Sequence, residues 1–150
     1  MLRERIAEDT KQAMKAGDKP RLSALRLVSS AIKNLDIEAR TKGQGEPGDD
    51  ALLPLLQKLV KQRQESAELY DRGARPELAA GERAEIAVIQ SFLPAQMNAD
   101  ETRAAIAAAI KETGAASVKD MGKVMATLRA QHAGRMDFAG ASALVKAMLG

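Results

Sequence analysis

Residues 20–35 read PRLSALRLVSSAIKNL and place leucine, valine and isoleucine at spacings of three and four. That spacing draws one apolar stripe along an α-helix, and Pro20 suits the first turn of such a helix. The members of the stripe are Leu22, Leu25, Val28, Ile32 and Leu35. The stretch therefore predicts an amphipathic helix that packs one side against a core and exposes the other.

Similar patterns flank this stretch on both sides. Residues 2–16 predict a first helix with Leu2, Ile6 and Met14 in phase, ending at Gly17. Residues 41–50 contain three glycines and a proline, so they predict a loop. A third helix follows this loop up to about Gly73, and a fourth starts near Pro76 with Leu78, Ile86, Ile89 and Leu93 on its apolar side. Aromatic residues make up 2% of the chain, which favours helices over strands.

Residues 98–150 change to shorter helical segments with their own start signals. Asn98 followed by Glu101 and Ser117 followed by Asp120 match capping boxes, and Asp137 can cap a last segment that includes Phe138, Val145 and Met148. Together the patterns predict an all-α fold with a four-helix N-terminal lobe over 1–94 and a three-helix lobe over 95–150.

The composition excludes most catalytic chemistry. The chain has no cysteine and one histidine, His132, which is expected near a helix C-terminus where its charged form favours the helix dipole. We find no nucleophile–base pair, no metal-ligand spacing and no phosphate-binding glycine motif, so we expect no catalytic residue, no metal and no cofactor. No apolar run is long enough to span a membrane, and we expect a soluble, cytoplasmic protein.

A modest basic segment is the main electrostatic signal. The chain has a net charge of +3, and residues 114–136 hold four basic side chains and one acidic one. Glycines let a backbone approach a phosphate closely, and Gly122 and Gly134 lie within this segment. The basic residues of the segment are Lys119, Lys123, Arg129 and Arg135, and a charge run of this kind is more often a solvated face than a nucleic-acid surface.

Four stretches in this order resemble the GatB/YqeY family. They are YDRGARPEL at 70–78, SFLPAQM at 91–97, KDMGKVM at 119–125 with GRMD at 134–137, and VKAML at 145–149. The upstream stretches resemble the free-standing YqeY-like members. The C-terminal third is similar to the tail domain of the GatB component of the aspartyl/glutamyl-tRNA amidotransferase.

This resemblance implies a four-helix lobe followed by a three-helix, tail-like lobe. In the amidotransferase the tail contacts tRNA, whereas glutamine hydrolysis and amide transfer occur on other domains. The resemblance therefore implies a non-catalytic accessory protein that binds tRNA, another structured RNA, or the tRNA-dependent amidation machinery. A label of amidotransferase or carbon–nitrogen ligase activity, with glutamine as amido donor, would come to this chain only through the name of the larger enzyme. The residues carried over are Gly122, Lys123, Gly134 and Arg135, with Lys119 and Arg129 as basic supports.

One other interpretation stays open and a second is disfavoured. The alanines of residues 104–109 permit close helix approach, so an alternative is an adaptor that docks on an enzyme partner without RNA contact. A DNA-binding helix-turn-helix over 118–149 is disfavoured, because the helix after Asp137 has few groups that could pair with base edges. The shortage of aromatic rings argues against single-strand binding. We therefore expect no DNA and no membrane partner.

Overall fold

The computed structural model describes residues 1–150 and is all-α, which confirms the predicted fold class. The seven α-helices are α1 (Leu2–Ala16), α2 (Lys19–Thr41), α3 (Asp49–Arg72), α4 (Pro76–Gln90), α5 (Ala99–Thr113), α6 (Met121–Gln131) and α7 (Phe138–Leu149). A single 3₁₀ turn, Val118–Asp120, precedes α6. The chain divides into two compact units, Met1–Pro94 and Ala95–Gly150. None of the helices has the length and apolar character needed to cross a bilayer.

Helix α2 begins as its sequence predicts. The carboxylate of Asp18 accepts a hydrogen bond from the backbone N–H of Arg21 at 3.2 Å, and Pro20 lies in the first turn. This cap satisfies one of the N–H groups that a helix start leaves unpaired. The apolar stripe is confirmed: Leu25, Val28 and Ile32 are buried and pack in the core of the N-terminal unit.

Helix α1 departs from the prediction at its C-terminal end. Leu2 and Ile6 are buried as expected, but Met14 is 57% exposed and Ala13 is buried in its place. Position 13 lies three full turns after Leu2, whereas position 14 has rotated about 100° further. The assignment of Met14 to the apolar face was therefore wrong by one residue.

Helices α3 and α4 form a hairpin closed by a turn around Gly73. Its core contains Leu52, Leu56, Val60, Ile86, Ile89 and Phe92. The guanidinium of Arg63 pairs with the carboxylate of Glu85 at 2.9 Å, which links the two helices beside that core. Leu78, predicted to face the core, is 39% exposed, and Ala79 is buried instead. Position 79 lies seven residues before Ile86, two turns along the same helix face, so Ala79 shares its apolar side.

The side chain of Arg3, in α1, binds the loop between α2 and α3. The guanidinium of Arg3 donates to both carboxylate oxygens of Asp36, at 2.9 and 2.6 Å, and to the carbonyl oxygen of Pro47 at 2.9 Å. It also pairs with Glu46 at 2.9 Å. These bonds lower the pKa of Asp36 below its ordinary value, chiefly through the hydrogen bonds from Arg3. One arginine thus joins α1, α2 and the loop.

The C-terminal unit has a separate core. Its buried residues are Ile106, Ala109, Val124, Met125, Leu128, Met136, Ala141 and Val145. The predicted capping box at the start of α5 is confirmed, because the Asn98 side chain accepts from the Glu101 N–H at 2.8 Å and Glu101 accepts from the Asn98 N–H at 3.2 Å. Met148, which the sequence assigned to the last helical segment, lies in α7 and is 45% exposed. Met148 lies three residues after buried Val145, so its side chain leaves the helix about 60° around the axis from that of Val145.

Candidate functional site

The start of α6 is organised by the carboxylate of Asp120. It accepts hydrogen bonds from the backbone N–H groups of Ala116 and Ser117 at 3.0 and 3.4 Å. These two bonds hold the pKa of Asp120 below its ordinary value, and the positive charge of Lys123 acts in the same direction more weakly. Asp120 is therefore engaged mainly with the backbone that leads into the helix.

Helix α6 has one buried side and one exposed side. Val124, Met125 and Leu128 are buried, whereas Gly122, Lys123, Ala126, Arg129 and Ala130 are exposed. Ideal helix geometry separates the Cα atoms of Lys123 and Arg129 by about 9 Å along the axis and about 120° around it. Lys119 lies exposed in the 3₁₀ turn just before the helix. Two cations thus flank the start of α6, and the third lies near its end.

The cation at the far end has an aromatic neighbour. The guanidinium carbon of Arg129 lies 5.8 Å from the centre of the Phe138 ring, in the first turn of α7. A cation over a ring face at this distance is attracted by the ring's quadrupole. Arg129 also lies in the last turn of α6, where a positive charge favours the helix dipole. These contacts restrain Arg129 and leave it exposed.

Gly134 and Arg135 form hydrogen bonds with residues 95–97. Gly134 is buried with a φ of 76°, and its carbonyl oxygen accepts from the Gln96 side chain at 2.6 Å. The Arg135 side chain donates to the Ala95 carbonyl, and the Arg135 carbonyl accepts from the Met97 N–H, both at 2.9 Å. Two of the six candidate residues therefore join the α6–α7 loop to residues 95–97. The sequence offered no signal for this pairing.

Most carboxylates of the C-terminal unit are occupied by partners other than cations. Glu101 and Asp137 cap α5 and α7, Asp120 binds backbone N–H groups, and Glu112 accepts from the Gln131 amide at 3.1 Å. All eight salt bridges of the chain lie within Met1–Pro94. None of the seven basic residues of 95–150 therefore forms an ion pair, and Lys119, Lys123 and Arg129 are among them.

His132 lies at the C-terminal cap of α6, at the helix end that the sequence predicted. Its N–H donates to the carbonyl oxygen of Leu128, and its carbonyl oxygen accepts from the N–H of Arg135. The imidazole Nδ1 atom is buried and has no hydrogen-bond partner. The backbone contacts of His132 close the helix and start the turn toward Arg135.

The alanine-rich helix α5 has small residues on both its sides. Ala109 is buried in the core of the unit, whereas Ala104, Ala107 and Ala108 are exposed. The three exposed alanines lie on one side, because spacings of three and four return to the same helix face. This surface is the one on which the adaptor interpretation depends.

Curated relatives cover the chain in part. It is 37% identical over 89 residues to "Altered inheritance of mitochondria protein 41, mitochondrial" of Lachancea thermotolerans, covering 59% of this chain and 46% of the relative. The same protein of Eremothecium gossypii is 34% identical over 91 residues, covering 60% and 48%. That of Pyrenophora tritici-repentis is 27% identical over 130 residues, covering 83% and 70%. The matched part of the chain spans about half the length of the first two relatives.

These names correct one prediction. The relatives are named as mitochondrial proteins, so the cytoplasmic location expected from the sequence is contradicted. The expectation rested on the absence of a long apolar run, which bears only on secretion and membrane insertion.

One family model covers nearly the whole chain. It is described as "Yqey-like protein" and matches residues 3–149, which includes all seven helices apart from the first residue of α1. The match and the relatives together fit a non-catalytic accessory protein. The chain belongs to the YqeY-like family.

Proposed function

We propose that the C-terminal unit, Ala95–Gly150, binds folded RNA, with tRNA as the first ligand, through Lys119, Lys123 and Arg129 around the exposed side of α6. One observation carries the proposal: these three cations have no ion pair, while Asp120, the carboxylate nearest to two of them in sequence, is bound by backbone N–H groups. Uncompensated cations on a rigid helix attract phosphates, and folded RNA is read largely through its backbone. Gly122 leaves the first turn of α6 open, because no atom apart from its chain neighbours and the backbone of its own turns lies within 4 Å of where its Cβ would be.

The choice of tRNA rests on the likeness to the amidotransferase tail. The proposed role is that of an accessory protein of tRNA-dependent amidation, which binds the tRNA and catalyses no step itself. Because the curated relatives are mitochondrial, mitochondrial tRNA belongs in the test beside bulk tRNA. Gly134 and Arg135 enter the proposal as residues that hold the α6–α7 loop in place, with the remaining N–H groups of Arg135 as a further phosphate donor.

The decisive experiment compares two variants with equal changes in charge. The first variant, Lys123→Glu with Arg129→Glu, reverses the charge of two cations on the exposed side of α6. The second variant, Lys111→Glu with Lys146→Glu, reverses two exposed, unpaired cations on α5 and α7. Fluorescence anisotropy with labelled tRNA should show binding weakened at least about tenfold in the first variant and much less in the second. Equal losses in both variants would indicate diffuse attraction, and unchanged binding in the first would remove α6 from the proposal.

A second candidate function is an adaptor that docks on an enzyme through α5. The exposed face of Ala104, Ala107 and Ala108 favours it, because small residues let the backbone of a neighbouring helix approach closely. The test is an affinity purification after nuclease treatment with the Ala107→Glu variant beside the wild type. An enzyme of tRNA-dependent amidation retained by the wild type and lost from Ala107→Glu would favour this function over RNA binding.

A further inference from the structure

The outer side of α2 carries a row of four cations that the proposed function does not use. Lys19, Arg26, Lys33 and Arg40 recur every seven residues and are all exposed. A spacing of seven is nearly two helical turns, so the four residues form a slanted line with steps of about 10.5 Å. None of them forms a salt bridge, and Arg40 acts only at longer range on Asp36, which is bound by Arg3. The row runs the length of the helix.

Beside this row lies a seam of residues with coiled-coil spacing. If the cations occupy position g of a heptad, position a holds Pro20, Leu27, Asn34 and Thr41, and position d holds Ser23, Ser30 and Ile37. Every one of these seam residues is exposed, including Leu27 at 42% and Ile37 at 50%. An open groove of about 530 Å³ lies along the first turns, lined by Lys19, Leu22, Ser23, Arg26, Leu27 and Ser30. Small seam residues between two larger apolar ones form a shallow track for another helix.

The opposite flank of the seam has a different charge. Its heptad position e holds Ala24, which is buried, Ala31, which is half-buried, and Glu38, which is exposed. A helix that lies in a nucleic acid groove would contact phosphates through cations on both of its flanks, but the cations of α2 lie on one flank only. A second copy of the chain is also a poor occupant. Antiparallel α2 helices would set the two g rows against each other, and parallel helices would set each g row against an e flank with a single carboxylate, Glu38.

From this placement we infer that the outer face of α2 docks an amphipathic helix of a partner protein, with apolar residues on its seam and a row of carboxylates on one flank. The cations at position g would pair with carboxylates at position e of a parallel partner or position g of an antiparallel one. Leu27 and Ile37 supply apolar contact, and Asn34 between them sets the register. The surface lies in the N-terminal unit, so this inference does not depend on RNA binding by α6.

The test uses a defined probe and a residue-resolved signal. A synthetic three-heptad peptide with leucine on its seam and glutamate along one flank is titrated into the ¹⁵N-labelled full chain, and a twin peptide carries lysine in place of glutamate. The glutamate peptide should shift the amide signals of Ser23, Leu27, Ser30, Asn34 and Ile37. The lysine twin should leave them unchanged, because like charges face each other across the seam.

Two variants separate charge from apolar contact. Arg26→Glu with Lys33→Glu should weaken binding of the glutamate peptide by at least about tenfold, and Leu27→Ala with Ile37→Ala should weaken it several-fold. Lys11→Glu with Lys15→Glu, which reverses two exposed and unpaired cations of α1, is the matched control and should bind as the wild type does. All these positions are exposed, and the spectra themselves report that the variants are folded.

Several results would overturn the inference. They are the absence of shifts on α2, equal shifts with the lysine twin, unchanged binding in the Leu27→Ala, Ile37→Ala variant, and a self-association that buries the same amides. Stronger shifts of these amides by tRNA than by the glutamate peptide would make the face an RNA surface instead. These readouts differ from those for α6, so failure of either proposal is recognised separately.

Discussion

The side chain of Arg135 donates a hydrogen bond to the carbonyl oxygen of Ala95 at 2.9 Å, although 40 positions separate the two residues. This bond and the neighbouring pair between Met97 N–H and Arg135 C=O join the first residues of the C-terminal unit to the loop before α7. A residue that resembles an RNA contact in the sequence thus has a defined role in the fold.

Arg135→Ala is expected to lower the free energy of unfolding by about 1 kcal/mol, because the carbonyl of Ala95 loses its donor at a partly exposed site. Urea denaturation of the full chain measures the change. Lys146→Ala removes an exposed cation of the same unit without a salt bridge and should change stability by less than about 0.5 kcal/mol. Equal stability of the wild type and Arg135→Ala would show that the bond to Ala95 contributes nothing.

Substituting the two glycines of the candidate surface should have opposite effects. Gly134→Ala places a side chain at a φ of 76° and should destabilise the protein by about 1–2 kcal/mol. Gly122→Ala adds a methyl group to an exposed helical position with open space around it, and should stabilise by about 0.5–1 kcal/mol. Thermal unfolding of both variants gives the comparison. A stabilised Gly134→Ala would mean that the turn can adopt another conformation.

The ion pair between Arg3 and Asp36 should contribute to the acid limb of the stability curve, where the free energy of unfolding falls as the pH falls. Because the folded-state pKa of Asp36 lies below its ordinary value of 3.8, its contribution is complete above that pH and is lost as pH falls through the folded-state pKa. In Asp36→Asn the free energy of unfolding should therefore fall less steeply below about pH 4. Unfolding measured between pH 2 and pH 6, on the order of five points, would show it.

The matched test is Arg3→Met, which removes the donor and leaves the carboxylate. It should flatten the same limb at least as much, because Arg3 also pairs with Glu46. The double variant should add nothing to the effect of Arg3→Met on this limb, since the pair with Asp36 is already lost. An acid limb that keeps its full slope in Asp36→Asn would assign the acid sensitivity to other carboxylates.

Binding of tRNA should depend on salt in proportion to the phosphates contacted. With phosphates bound by Lys119, Lys123 and Arg129, the slope of log K against log salt should be about −2 to −3. Replacing Lys123 by glutamine should reduce the magnitude of that slope by about one and weaken binding to all tRNAs alike. Titrations at three or so salt concentrations measure it. A flat salt response would exclude phosphate contacts as the source of affinity.

Local signals made most of the fold predictable. The helix start at Asn98 was predicted from the sequence, because a cap involves residues only three apart. The errors at Met14 and Leu78 each concern one residue at a helix end, where the larger apolar side chain was chosen over the alanine that the periodicity buries. Size misleads at such positions, because close helix packing favours a small residue.

The candidate site was predictable only as a set of charges. Lys119, Lys123 and Arg129 could be chosen from the sequence, and the predicted capping box already implied that the Asp120 carboxylate accepts from the Ser117 N–H. Only the structure shows the second bond, from the Ala116 N–H, and the absence of an ion pair at the three cations. The row on α2 was missed because the apolar stripe of that helix dominates its pattern. A spacing of seven in Lys19, Arg26, Lys33 and Arg40 was the signal that could have revealed it.

The sequence alone therefore determined that the chain forms helices and, within a residue, which side of each helix is apolar, because periodicity and capping act over one or two turns. Only the tertiary structure decided what each charge does. Arg3 and Arg135 have partners 33 and 40 positions away, whereas Lys123 and Lys33 have no ion pair. Those distances depend on how the helices pack, and Coulomb attraction depends on distance through space rather than along the chain.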